Sequence, residues 1–266
     1  MDALAPDTVT SGLVRINAAR VTYRGRGGAP FEALSATDLR LEPGSFTTLI
    51  GPSGCGKSTL LNAVAGFVTL SEGRVGVDER IVDGPSPDVG VVFQQYALFP
   101  WFTAAGNVEF ALKRFGLPRA ARREAALAAL DVVGLRARAD SYPAQLSGGM
   151  KQRVALARTL AGRPKVLLMD EPFGALDAQT RVSMHEMLLR VWEAHRTTVL
   201  FVTHDVDEAL ILSDRIHIMS SGPGRIIETI DVDSRRPRHV DDVDSTYLAR
   251  RNLIMRLLHH GGARQP

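Results

Sequence analysis

The stretch Gly51-Pro52-Ser53-Gly54-Cys55-Gly56-Lys57-Ser58-Thr59 decides how the rest of the chain is read. It fits G-x-x-x-x-G-K-[ST], the phosphate-binding P-loop. The run Phe46 to Ile50 leads in and reads as a buried strand. Leu60 to Ala65 leads out with helical spacing, and Gly66 stands where a helix-ending glycine belongs. Strand, loop and helix in that order are what the motif needs. Its glycines let the backbone curl so that successive N–H groups converge on a phosphate, and the helix start adds its positive dipole end. Lys57 can then reach the β- and γ-phosphates, and Ser58 can offer its hydroxyl to Mg²⁺. Of 32 Lys and Arg residues only four are Lys, yet the P-loop holds Lys. A compact ammonium fits a cradle of amides that a wide guanidinium would not.

The 266 residues suit one large domain, or one domain with a subdomain. Hydrophobic content of 45% and charged content of 23% fit a soluble globular protein with a sizeable core. Cys55 is the single cysteine, so an intrachain disulfide is excluded, which suits a reducing cytosol. It occupies a variable P-loop position and reads as packing rather than chemistry. No apolar run approaches the roughly 20 residues of a membrane span. Residues 1–12 hold two Asp and no Lys or Arg, so they read as a loose tail rather than a secretory signal. A net charge of +3 argues little for nucleic acid.

Leu13 to Tyr23 alternates apolar and polar residues and reads as an edge strand. Gly25 to Pro30 is an expected turn, and Leu34 to Leu41 a second strand. Arg74 to Val77 and Arg80 to Val82 make a small hairpin around Asp78-Glu79, and Val89 to Phe93 reads as another buried strand. Between about Gln94 and Arg163 strand-like runs vanish. Helices are expected there over Arg119 to Val133, stopping at Gly134, and from Gly148 to Leu160. Lys165 to Asp170 and Thr198 to Thr203 read as parallel strands covered on both faces, with a crossover helix over Thr180 to His195. Arg215 to Met219 and Arg225 to Ile230 are further strands. The tail from Asp231 is polar, and Tyr247 to Leu258 forms an amphipathic helix.

Two more stretches carry chemistry. Val166-Leu167-Leu168-Met169-Asp170-Glu171 is an apolar strand ending in two acids. Alone it is as readily an exposed acidic turn. Beside a P-loop, Asp170 is placed to hold Mg²⁺ through its water shell, and Glu171 to orient the attacking water. Leu146-Ser147-Gly148-Gly149-Met150-Lys151-Gln152-Arg153 opens the second long helix, with Ser147 as N-cap and two glycines leaving the amides bare. By itself that is more often only a cap. As an anion site it would be the second in one chain.

Leu-Ser-Gly-Gly shortly before the Asp-Glu strand resembles the signature of ABC ATPases. From about Leu13 to Ile230 the chain resembles the nucleotide-binding subunit of an ABC transporter. The resemblance implies an α/β P-loop NTPase with a RecA-like parallel-sheet core, a small antiparallel β subdomain and a helical subdomain over about 95–163. The ATPase domain would run over 13–231, with 232–266 a short extension bearing one helix. It implies ATP and Mg²⁺ as ligands. Two copies would pack head to tail around two ATP molecules, so that Gly51, Pro52, Ser53, Gly54, Cys55, Gly56, Lys57, Ser58 and Thr59 of one face Ser147, Gly148 and Gly149 of the other. Ser147 and Gly149 would touch the γ-phosphate. Gln94, in Val92-Phe93-Gln94, matches the glutamine that contacts Mg²⁺ and water. Asp177, in Ala175-Leu176-Asp177, matches the D-loop at the dimer interface. His204 matches the switch histidine at the γ-phosphate, and Tyr23 the aromatic residue that stacks on adenine. One departure is visible: the signature's fifth residue, usually Gln, is Met150, and Gln145 precedes the motif instead.

Local strings resemble the importers for nitrate, taurine and aliphatic sulfonates. They are Leu98-Phe99-Pro100-Trp101 after Gln94, Asp170-Glu171-Pro172-Phe173-Gly174-Ala175-Leu176-Asp177, and Ser220-Ser221-Gly222-Pro223-Gly224-Arg225. The resemblance implies ATP hydrolysis coupled to import of a small anion, at the cytoplasmic face of the cell membrane. Permease subunits would be separate, and a solute-binding protein would act indirectly. Phe99 and Trp101 would line the groove that receives the permease. The competing reading is a non-transport ABC ATPase acting on nucleic acid or the ribosome. Its one sequence feature is Arg235-Arg236-Pro237-Arg238, and the nearby Asp241, Asp242 and Asp244 favour a solvated tail with no nucleic-acid partner.

Overall fold

The computed structural model describes residues 11–24, 29–220, 222–234, 236, 238 and 244–261. Residues 1–10 of the expected tail, Gly25 to Gly28 of the expected turn, and Ser221, Arg235, Pro237, Asp241 and Asp242 lie outside them. In chain order the strands are β1 (Val14–Tyr23), β2 (Phe31–Leu41), β3 (Phe46–Ile50), β4 (Glu72–Val77), β5 (Arg80–Ile81), β6 (Val89–Val92), β7 (Val166–Asp170), β8 (Thr198–Thr203), β9 (Arg215–Ser220) and β10 (Arg225–Asp231). The helices are α1 (Lys57–Val64), α2 (Ala104–Leu112), α3 (Arg119–Val132), α4 (Gly148–Ala161), α5 (Ala178–His195), α6 (Val206–Leu212) and α7 (Ser245–Gly261).

The strands form two sheets, one of order β2-β1-β4-β5 and one of order β10-β9-β3-β8-β7-β6. The second is parallel from β9 to β6, with β10 antiparallel at its end. The period of two decides which core each side chain joins. Val166, Leu168, Leu200 and Val202 pack with Leu49, Leu60, Leu61 and the inner face of the antiparallel sheet. Their neighbours Leu167, Met169, Val199 and Phe201 pack with Phe46 and the helical side, α2 to α5. Each such buried side chain contributes roughly 1.5–3 kcal/mol. A third cluster joins Ile50 to α6, β9 and Ile254 of α7. In β3, Thr48 is tolerated in full burial because its hydroxyl meets that of Ser213 at 2.5 Å.

Two placements differ from the sequence reading. β1 is no edge strand; it lies between β2 and β4. Its alternation records one wet face, with Arg15 and Asn17 exposed, and an antiparallel sheet can be wet on one side even at its centre. The buried strand expected at Val89 is instead the rim of the six-stranded sheet, where Val92 alone is buried. Its apolar side chains face a cavity described below.

The expected helical stretch holds α2, α3 and α4. α2 was not expected. Thr103 caps it, accepting Gly106 N–H at 3.1 Å, and Gly106 hides its periodicity. Among the described residues no helix is long and apolar enough to cross a membrane.

Candidate functional site

The P-loop leaves the C-terminal end of β3, which is flanked by β8 and β9, and runs straight into α1. Gly56 is the α1 N-cap, with φ +90° and no side-chain cap. A Cβ there would meet Ala33 O at 2.8 Å, so the loop passes β2 only because glycine is present. The first amides of α1 therefore keep their donors for an anion. Lys57 is 5% exposed and folds back over its own loop, donating to Gly51 O at 2.8 Å and Pro52 O at 3.0 Å. Cys55 is fully buried, and that burial pushes its thiol up. Its carbonyl lies under Gly224, and its sulfur lies against Gly51, where a Cβ would meet it at 2.7 Å.

Ser58 Oγ donates to Asp170 Oδ1 at 2.9 Å, joining the P-loop to the end of β7. Burial raises the Asp170 carboxyl, and the Ser58 hydrogen bond opposes that rise. Glu171 then turns the chain with φ +42°, a left-handed backbone that is strained for a side chain of this size. Its amide is held by Val202 O at 2.9 Å, and its Oε2 lies 3.1 Å from His204 Nδ1. Gln94 faces the same spot from β6: a Cβ on Gly174 would lie 3.8 Å from both Gln94 Nε2 and Glu171 Oε2. The fold thus brings Lys57, Ser58, Gln94, Asp170, Glu171 and His204 to the C-terminal ends of four neighbouring strands. That is where open parallel sheets bind ligands.

The signature residues stand apart from this group. No hydrogen bond joins Ser147, Gly148 or Gly149 to residues 51–59. Ser147 is exposed and caps α4, accepting Met150 N–H at 3.3 Å. Gly149 is buried, and a Cβ on it would meet Thr180 Cγ2 at 2.6 Å, which seats the signature on the start of α5. Asp177 caps α5, accepting Thr180 N–H at 2.9 Å and the Thr180 hydroxyl at 2.7 Å; those bonds hold its carboxyl below the usual range. Met150 packs on the core cluster, which accounts for an apolar side chain there. Gln145 does not replace the missing glutamine. Its Oε1 accepts Tyr142 N–H at 2.8 Å and braces the preceding turn.

Tyr23 lies at the end of β1, paired in register with Phe31, and both rings are exposed. Phe31 escaped the sequence reading, although it opens the strand whose Ala33 touches the P-loop. Phe99 lines a cavity of about 440 Å³ with Phe93, Ala97, Phe110 and Arg158. Trp101 does not line it. That ring is 67% exposed, 5.6 Å from Phe99. Asn107, fully buried, holds this aromatic loop by bonding Phe99 N and O and the carbonyls of Phe102 and Thr103.

The expected solvated tail is overturned at Arg236 and Arg238. Arg236 donates to Asp214 and to Leu212 O at 2.6 Å, over the Trp192 ring. Arg238 is spent on backbone carbonyls. Arg181 and Glu208 were missed as well. Arg181 pairs with Asp205 at 3.2 Å and donates to Leu176 O at 3.1 Å, and the buried Glu208 accepts the Thr203 hydroxyl at 2.6 Å. An Asp177-x-x-x-Arg181 spacing was the available signal.

The family model described as ABC transporter matches residues 34–174. The nitrate import ATP-binding protein NrtD of Synechocystis sp. is 52% identical over 194 residues, covering 73% of each chain. The bicarbonate transport ATP-binding protein CmpD of the same organism is 44% identical over 264 residues, covering 97% of this chain and 93% of that one. A dimeric ATP-binding cassette solved in a post-hydrolysis state with ADP and Pi superposes with a TM-score of 0.74 at 33% identity, over 84% of this chain and 100% of that one. With the P-loop, the acidic strand end and the capped glycine turn arranged as above, this chain belongs to the ABC transporter family as one of its ATP-hydrolysing cassettes.

Proposed function

We propose that the chain is the ATPase subunit of an importer for a small anion, working as a pair of copies beneath separate permease subunits. The observation that carries the reading is Glu171, whose carboxylate is held 3.1 Å from His204 beside the Ser58–Asp170 pair. The triphosphate would lie on the uncapped start of α1, where Gly51 to Thr59 supply amides and Lys57 exchanges its carbonyl partners for phosphate oxygens. Tyr23, with Phe31 beside it, would stack on adenine. Phosphoryl transfer asks for position and charge neutralisation more than covalent help. Glu171 would orient and polarise the attacking water, and His204 would hold the γ-phosphate.

Ser58, Asp170 and Gln94 offer hard oxygens suited to Mg²⁺, which takes one or two carboxylates and substrate phosphates rather than a protein cage. No cluster of three or more His, Cys, Asp or Glu among the described residues suggests such a cage. When bound, Mg²⁺ would neutralise charge on the β- and γ-phosphate oxygens.

Ser147, Gly148 and Gly149 would complete the site of the other copy, with Asp177 at the same interface. This is supported by Ser147 being exposed yet unconnected to its own P-loop. The cavity beside Phe99 is the candidate seat for a permease segment, with Trp101 at its side. The pair would then sit peripherally on the cytoplasmic face of the membrane, served indirectly by a solute-binding protein. The names of the nitrate and bicarbonate relatives support a small anion, whose own binding site would lie outside this chain.

The test is Glu171→Gln. It should still bind ATP and should accumulate as a nucleotide-bound dimer, while turnover falls roughly 10²- to 10⁴-fold. An active, monomeric Glu171→Gln protein would refute the assignment. Reconstitution with the neighbouring permease, followed by ATPase assays with nitrate, bicarbonate, taurine and an alkyl sulfonate, would name the anion.

A further inference from the structure

The segment after Asp231 plays no part in the site above, yet it grips α6 at both ends. α6 follows the switch: His204 precedes Asp205, whose carboxylate caps the helix by accepting Asp207 N–H at 2.9 Å and Glu208 N–H at 3.2 Å. In the first turn, Asp207 Oδ1 accepts the Tyr247 hydroxyl at 2.7 Å and Arg251 Nε at 2.8 Å, both from α7. At the other end Arg238 donates to Leu210 O at 3.1 Å and Ser213 O at 2.5 Å, and Arg236 donates to Leu212 O at 2.6 Å. These are the carbonyls a helix end leaves without partners. Between the two grips Ile254 of α7 is fully buried in the cluster that also holds Ile50, the residue before the P-loop, and Val206, two residues after His204.

A seven-residue helix has little stability of its own, so its orientation is set by what packs on it. On one flank α5 holds the switch turn through Arg181 and Asp205. On the other flank, among the described residues, the side-chain partners of Asp207 are Tyr247 and Arg251 of α7. Burial first, and then the Asp207 hydrogen bond, push the Tyr247 phenol upward, so it remains a donor at neutral pH.

We propose that Tyr247 and Arg251, acting through Asp207, are positioning residues that hold the switch turn so that His204 meets Glu171. This inference rests on the role given above to His204. A displaced switch would leave the P-loop's hold on ATP in place and slow hydrolysis, because the His204 contact with the γ-phosphate contributes more in the transition state than in bound ATP.

The experiment is steady-state hydrolysis of Mg-ATP by the purified full-length chain, with thermal midpoints measured in parallel. Tyr247→Phe and Arg251→Gln should each lower kcat about 3- to 10-fold with KM for ATP unchanged within about twofold. Their thermal midpoints should stay near that of the parent. Ile254→Val thins the packing without touching Asp207, so it should lower the midpoint and leave kcat at room temperature alone. The inference is overturned if the Tyr247→Phe/Arg251→Gln pair keeps the parent kcat. It is overturned equally if kcat follows the midpoint across all variants including Ile254→Val, or if ATP binding is lost. A parent chain without ATPase activity sinks the proposed function and this inference together. An active parent matched by its variants sinks this inference alone.

Discussion

α1 and α4 both begin at glycine-rich turns, but they begin differently. α1 starts at Gly56 with no side-chain cap, its backbone in a left-handed conformation and Lys57 buried beneath. α4 starts at Ser147, whose hydroxyl already accepts Met150 N–H, with Gly149 pressed against Thr180. The first helix start keeps its donors unspent and has a cation in place. The second already ties Met150 N–H to the Ser147 oxygen, and the exposed Ser147 hydroxyl keeps its own proton to donate to an incoming anion. A resident phosphate site needs the first arrangement. A contact made and broken in each cycle is better served by the second, because the open state leaves no orphaned group.

The largest expected effect tests the resident half. Lys57→Ala removes the one buried ammonium of the loop and frees two carbonyls, and should weaken ATP binding to the isolated chain by about 10²-fold or more, near 3 kcal/mol. Lys57→Arg should not rescue it, since the guanidinium is too wide for the space between Gly51 O and Pro52 O. Equilibrium binding of a fluorescent ATP analogue measures both. Retained affinity in Lys57→Ala would mean that the amides of α1 suffice, and the contrast with α4 would shrink to the cap alone.

Ser147→Ala tests the other half and should act later in the cycle. Affinity of the isolated chain for ATP should stay within about twofold, while kcat falls ~10- to 30-fold and nucleotide-driven dimers become scarce; loss of the cap costs α4 about 1 kcal/mol. Light scattering with ATP in the Glu171→Gln background reads the dimer directly. If Ser147→Ala weakened binding to the monomer as much as Lys57→Ala, both loops would serve one nucleotide in one chain, and the division drawn here would collapse.

Much of this was legible in the chain because the signals are local. Phe46 to Thr59 carries its strand, loop and helix within a few residues, and Val166 to Glu171 declares a two-faced strand with acids at its end. What pairs at a distance left no such trace. The alternation of β1 is the same at the centre of a half-wet sheet as at its edge, and Val89 to Val92 looks as apolar beside a cavity as inside a core. α6 is too short to show a period, so Asp205 was its single mark. Gln94 and His204 are ordinary polar residues at strand ends until the fold turns them toward Glu171. Their roles came from resemblance rather than from pattern. The grip of Tyr247 and Arg251 on Asp207 spans 40 and 44 residues, beyond any window of periodicity.

The smallest expected effect separates the two halves by acid. His217 lies in β9, in register with Leu49 of the P-loop strand, and is 6% exposed. Its Nδ1 meets Thr229 Oγ1 at 2.8 Å. Burial first and the Arg215 charge second push its pKa down from 6.5 to about 4, against a smaller upward pull from Asp231. With the folded value depressed, the unfolded chain binds the proton more readily between pH 4 and 6.5. The stabilisation is complete above the upper of these values and is lost as pH falls toward the lower. Between pH 7 and pH 5 the loss should be about 1–2 kcal/mol, read as the difference between parent and His217→Gln in urea melts at the two values. Carboxylates elsewhere titrate in both proteins and cancel in that difference. Hydrogen exchange should place the loosening in β3 and β9, around His217, and leave α3 and α4 protected, because neither of those helices carries a histidine. Acid would then weaken the scaffold of the resident phosphate site while sparing the exchangeable one. Equal loosening of α4 at pH 5 would show that the two helix starts, for all their difference in capping, stand on a single cooperative unit.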